Sequence, residues 1–130
     1  VKLLLQLVVQ EEQKQTNMKN KTVIAKYKYT GMSAQKVRLV ADLIRKMNAL
    51  EAMNMLQFVN KAASKVVMKN LKSAIANATN NHGMDKKKLI VVASYVDEAP
   101  TTKRFRIASR RGPQERLKRS SHITVELREQ

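Results

Sequence analysis

The chain has 130 residues, of which 43% are apolar and 4% aromatic with no tryptophan, so its length and composition point to one domain with a modest core of Val, Leu, Ile, Met and Ala. Its 26 Lys and Arg against 10 Asp and Glu leave a formal charge of +16, which calls for a polyanionic partner, nucleic acid before an acidic membrane. The absence of cysteine excludes disulfides and thiolate metal sites, and the two histidines, His82 and His122, lie in different predicted elements, so no metal site is expected.

Residues 1–21 differ in character from the remainder of the chain. The run Leu3-Leu4-Leu5-Gln6-Leu7-Val8-Val9 is broken by Gln6 and falls short of the roughly 18 apolar residues of a spanning helix, so no membrane insertion is expected. The polar stretch after it offers no small-residue cleavage site. Two readings are open, a poorly formed signal peptide or a poorly ordered N-terminal extension before a functional start near Met18. The second is adopted, with residues 22–130 as a single domain.

Residues 22–30 alternate, placing Val23, Ala25, Tyr27 and Tyr29 on one side and Lys26 and Lys28 on the other, the mark of a half-buried strand. Gly31 and Met32 break it, and Ser33 is positioned to cap a helix over 34–47. There Val37, Val40, Ala41 and Ile44 form one stripe, while Lys36, Arg38, Arg45 and Lys46 lie off it. Asp42 is spaced to pair with Arg38 and Lys46. Such a charged face is often merely solvated, but the excess of cations near the helix start, beside Lys26 and Lys28, favours a nucleic-acid edge.

Asn48 followed by Glu51 resembles a capping box opening a short helix over 49–58, with Leu50, Met53 and Leu56 inward. A third helix spans about 61–82, with Ala63, Val67, Leu71, Ala74, Ile75 and Ala78 buried and Lys61, Lys65, Lys69 and Lys72 along a second row. Gly83 closes it. A strand is predicted at 89–96 and another at 122–128, where Ile123, Val125 and Leu127 alternate with Thr124, Glu126 and Arg128. The plan is α+β, three helices packed on a small antiparallel three-stranded sheet with a long extended β-hairpin.

Residues 99–121 connect those last strands and form the hairpin. They hold Lys103, Arg104, Arg106, Arg110, Arg111, Arg116, Lys118 and Arg119 against one acid, Glu115. Phe105, Ile107 and Leu117 follow no helical period, and Arg111-Gly112-Pro113 is the strong turn signal near the midpoint. Arms of about eleven residues would project roughly 35 Å. A polycationic loop this long is functional or disordered.

Four strings resemble one family in register: S-A-Q-K-V-R-L-V-A-D-L-I-R at 33–45, S-A-I-A-N-A-T-N-N-H-G at 73–83, Y-V-D-E-A-P-T-T-K-R-F at 95–105 and L-K-R-S-S-H-I-T-V at 117–125. Together they are similar to the bacterial form of the twenty-second large-subunit ribosomal protein. That resemblance implies a non-enzymatic constituent of the large ribosomal subunit in the cytoplasm of a bacterium, or in an organellar ribosome. It would bind 23S-type rRNA, aid subunit assembly, touch neighbouring large-subunit proteins and line the nascent-peptide exit tunnel with its hairpin, without a cofactor. The RNA-contacting positions it implies are Ser33, Lys36, Arg38, Asn77, Asn81, Lys103, Arg104, Arg110, Arg111, Arg116, Lys118 and Arg119; the charge pattern adds Lys26, Lys28 and Arg106. The hairpin tip departs from the family run P-R-A-[K/R]-G-R, having I-A-S-R-R-G-P with Ile107 at the usual proline position.

Two other classes remain as alternatives. A nuclease could use His82 and His122 with a lysine, but paired carboxylates and a phosphate-cradling glycine loop are missing from the sequence. A DNA-binding regulator would need a polar recognition helix at helix-turn-helix spacing, whereas the densest charge here lies in the hairpin.

Overall fold

The computed structural model describes residues 1–19, 21–109 and 112–130. The elements run α1 (Lys2–Lys19), β1 (Thr22–Tyr27), α2 (Ala34–Ala41), α3 (Ala49–Phe58), α4 (Ala62–Ala76), a π-turn (Asn77–Asn81), a 3-10 turn (Lys86–Lys88), β2 (Leu89–Ala108) and β3 (Gly112–Glu129). The α+β plan with one antiparallel three-stranded sheet is present, with strand order β1-β3-β2. One helix more than expected is found, because Lys2–Lys19 are helical, with Leu3, Leu4, Leu5 and Leu7 exposed. Among the described residues no helix is long and apolar enough to cross a membrane.

The core lies between the helices and one face of the sheet. Val23 and Ala25 of β1 meet Val91 and Val96 of β2 and Ile123, Val125 and Leu127 of β3, covered by Val37, Val40, Leu56, Val67 and Leu71. All six residues of the expected stripe are buried, five on α4 and Ala78 on the π-turn that follows it. Gly83 takes a positive φ of 63°, which an L side chain resists, and turns the chain away from the helix toward β2.

Asn70 was not expected to be inside. It is buried, and its Nδ2 donates to Ala25 O and Ile123 O, each at 3.3 Å, joining α4 to two strands. Asn70→Ala is expected to lower unfolding free energy by about 1–2 kcal/mol in urea denaturation, because it removes a donor from buried carbonyls.

Several expected boundaries move. The first strand stops at Tyr27, and Tyr29, at φ 56°, is 65% exposed instead of facing the core. Helix α2 ends at Ala41 and not at Met47, because the next segment is recruited by β2. Lys46, at φ 64°, donates its N–H to Val91 O and Val91 N–H donates to Met47 O, both at 2.9 Å. Upstream, Arg45 Nη2 reaches Ser94 O at 2.7 Å and Arg38 Nε reaches Val96 O at 3.1 Å. The exposed edge of β2 is thereby closed at three carbonyls, which guards it against pairing with another chain. Asp42 pairs with Arg45 at 2.9 Å, an i,i+3 bridge in place of the expected i,i+4 partners.

The short helix α3 has the expected bounds, but Ala49 and Ala52 share its buried side with Leu56, while Leu50 is 38% exposed. Asn48 Oδ1 accepts from Leu50 N–H at 3.0 Å, and its Nδ2 donates to Lys87 O, tying the cap to the turn before β2.

The last two strands are longer than expected. β2 has 20 residues and β3 has 18, and they pair from Leu89↔Glu129 to Ala108↔Gly112 with two interruptions. Two register shifts, between Val91 and Ala93 and between Ala99 and Thr102, each place one extra residue on β2. The first moves its inward positions from Leu89 and Val91 to Ser94 and Val96. The second falls at Pro100, which cannot donate to a ladder and is accommodated where pairing is already interrupted.

Candidate nucleic-acid interface

Burial on the two long strands ends at Ala99 and Ser121. Beyond them, a two-stranded ribbon projects by about 30 Å, nine residues of β2 at a strand's rise. Backbone pairing holds it, because it has no core of its own. At its tip Ala108 pairs with Gly112, whose φ is 70°, and Ile107 pairs with Pro113. Pro113 therefore belongs to the strand and not to the turn; among the described residues β3 pairs there with β2 alone, so a missing N–H is tolerated. The expected contacts Arg110 and Arg111 lie outside the described residues.

Pairing sorts the side chains, since directly opposed residues project to the same face. Thr102↔Lys118, Arg104↔Arg116 and Arg106↔Gln114 form one face, with four cations and no acid. Lys103↔Leu117, Phe105↔Glu115 and Ile107↔Pro113 form the other, where Lys103 Nζ lies 3.6 Å from Glu115 Oε1. Four like charges on adjacent rungs repel one another in the free protein, and a polyanion laid across them removes that repulsion.

Where the ribbon leaves the domain, it overhangs the start of α2. A cleft of about 830 Å³ opens there, lined by Ser33 and Lys36 from the α2 end and by Arg104, Arg116, Lys118 and Arg119 from the ribbon, with Met32, Phe105 and Leu117 between them. Ser33 occupies the cap position with φ −64° and ψ 135°, but its side chain makes no capping hydrogen bond. The loop bearing it is anchored to the foot of the hairpin: Thr30 N–H donates to Ser121 O at 2.9 Å, and the two hydroxyls of Thr30 and Ser121 lie 2.7 Å apart. Arg119 and Ser33 also share a smaller recess with Thr101 and Ser120.

The expected residues do not all converge. Ser33, Lys36, Arg104, Arg106, Arg116, Lys118 and Arg119 line the cleft. Lys103 lies on the opposite ribbon face from Arg104. Lys26 projects from the open face of the sheet beside Thr124, and Lys28 follows the strand, exposed. Arg38 is engaged with Val96 O. Asn77 and Asn81 lie on the π-turn, which packs against β1, and neither lines the cleft. Gly31, Met32, Phe105 and Leu117 also line it and were not singled out as site residues from sequence. The interruption between strand and helix and the apolar residues inside a charge run were the available signals.

Little else in the molecule suggests chemistry. Nδ1 of His122 accepts the Tyr29 N–H at 3.0 Å, and the rings meet edge to face at 4.7 Å, so His122 is held as a structural acceptor. Among the described residues no three His, Cys, Asp or Glu side chains form a metal-binding group. On the open sheet face the Tyr95 hydroxyl donates to Glu126 Oε1 at 3.2 Å; desolvation first, then Glu126, raises its pKa above the ordinary value and keeps it a neutral phenol.

Comparison with known proteins places these features in a family context. The family model described as Ribosomal protein L22p/L17e matches residues 25–128. A curated relative, "Large ribosomal subunit protein uL22" of Metamycoplasma arthritidis (strain 158L3-1), is 46% identical over 110 residues, covering 85% of this chain and 52% of the relative. The chain thus spans about half the length of that relative.

Proposed function

Because this chain belongs to the Ribosomal protein L22p/L17e family, we propose that it is a structural constituent of the large ribosomal subunit that binds 23S-type rRNA through its hairpin and the adjoining cleft. The observation that carries this reading is the row of Arg104, Arg106, Arg116 and Lys118 on one ribbon face, continuous with a cleft whose lining holds no acidic side chain.

The mechanism is scaffolding without catalysis. Lys and Arg take the place of counterions around phosphates from folded RNA, and release of those ions drives binding; the shape of the RNA selects the site more than its base edges do. The globular part anchors the protein, while the ribbon reaches between RNA segments and is braced by them, which aids subunit assembly. Its far end lines the nascent-peptide exit tunnel in this reading, and Arg110 and Arg111 are among the proposed RNA contacts. Neighbouring large-subunit proteins and the passing polypeptide are the remaining partners, and the ribosome in the bacterial cytoplasm is the location. Lys26, Lys28, Arg38, Asn77 and Asn81 would meet RNA from other sides of the domain.

Titration of the protein against a 23S-type rRNA transcript at increasing salt tests this directly. Six to eight phosphate contacts give an expected log–log slope on the order of −4 to −6. A slope near zero, or failure to co-sediment with large subunits, would remove the proposal.

A further inference from the structure

We infer that the second face of the hairpin, centred on Phe105, stacks an unpaired nucleobase of the RNA whose phosphates the cations hold. This rests on the RNA-binding reading and specifies a contact of a different physical kind. Register sets the geometry. Both shifts fall on β2, so the alternation of β3 runs unbroken from Leu127 to Pro113. Ile123, Val125 and Leu127 point into the core, and Leu117 and Pro113 therefore continue the same face beyond the helices, opposite Lys103 and Ile107, with Phe105 beside them opposite Glu115. The core face of the sheet runs on into a stretch that no helix covers. Phe105 is 75% exposed there, Ile107 88% and Leu117 45%.

The surroundings decide what could cover that face. Phe105 and Leu117 line the cleft together with Lys36, Arg116, Lys118 and Arg119. An apolar protein surface seated in it would strip water from these cations without supplying a counter-charge. A nucleotide supplies both parts, a phosphate for Lys36 or Arg119 and a flat π-face for the ring. Glu115, the one acid opposite Phe105, is already drawn to Lys103 at 3.6 Å, which lessens its repulsion of a phosphate backbone. Base stacking tolerates any sequence, in keeping with a site whose other contacts are to phosphates.

The test separates stacking from charge. In titrations against the 23S-type rRNA transcript, Phe105→Leu is expected to weaken binding by about tenfold while the salt slope keeps its wild-type value, and Phe105→Tyr to stay within about twofold of wild type. Because the ring is exposed, both variants should melt with the parent protein, so lost affinity cannot be assigned to unfolding. Unchanged affinity of Phe105→Leu overturns the inference, including the case where that variant is instead lost from assembled subunits, which would give the face to a protein partner. Equal weakening by Leu and Tyr also overturns it, since the aromatic ring would then not be the cause. Failure of the parent reading is recognised separately by a flat salt response in the wild-type protein.

Discussion

Exchange of Arg104, Arg106, Arg116 and Lys118 together for glutamine is expected to weaken binding to a 23S-type rRNA transcript by between about 10² and 10³ near 0.15 M salt, and to flatten the log–log salt slope by roughly 3. Each phosphate contact contributes about 0.7–0.9 to that slope, so four lost contacts remove two to three decades at this ionic strength. The substituted side chains all lie on the exposed ribbon, so the fold should be retained. Net charge alone cannot explain such a loss if its location is controlled. Neutralising Lys61 at the cap of α4 and Lys65, Lys69 and Lys72 along it changes the formal charge equally but leaves the ribbon intact, and should cost far less. Similar losses from the two sets would mean that binding follows bulk charge, with no privileged surface.

The second large effect concerns the mounting. Leu71 on α4 is fully buried among residues of the sheet and helices. Leu71→Ala is expected to cost about 2–5 kcal/mol, because it forfeits apolar burial and leaves a cavity that rigid neighbours cannot fill. Domains have only about 5–15 kcal/mol of stability in all, so the melting temperature should fall by roughly 10 °C or more in a circular dichroism scan. Below that transition the salt slope for RNA should be unchanged, because the ribbon face is untouched. A shift of only a degree or two would mean that α4 does not carry the core.

What the sequence makes legible divides along a physical line. The stripe of α4 and the alternation at Ile123, Val125 and Leu127 could be read because each depends on local period alone. The early end of α2 could not, since it depends on Lys46 and Met47 pairing with Val91, far along the chain. The bulges on β2 were equally hidden, because an apolar run such as Val91-Val92-Ala93 contains no mark of where its inward side changes. At the candidate site the charge density announced itself, and so did Ser33 and Lys36 through family resemblance. The division of the ribbon into two faces did not, because it requires knowing that Arg104 opposes Arg116 and Phe105 opposes Glu115. Two-residue alternation in one strand says which side chains share a side; only the partner strand says what company they keep.

Strand order has a consequence for how the molecule is made. β3 is made after β1 and β2 yet occupies the centre of the sheet, and Val23 must wait for Leu127 before it has a partner. Helices can form early from neighbouring residues, but this sheet cannot exist until β3 has emerged, since β1 and β2 both pair with it alone among the described residues. So high a proportion of distant pairings places the protein among slowly maturing folds. Throughout that delay the apolar side of β1 is without its cover, a period of vulnerability to self-association in which early capture by a polyanion would be protective.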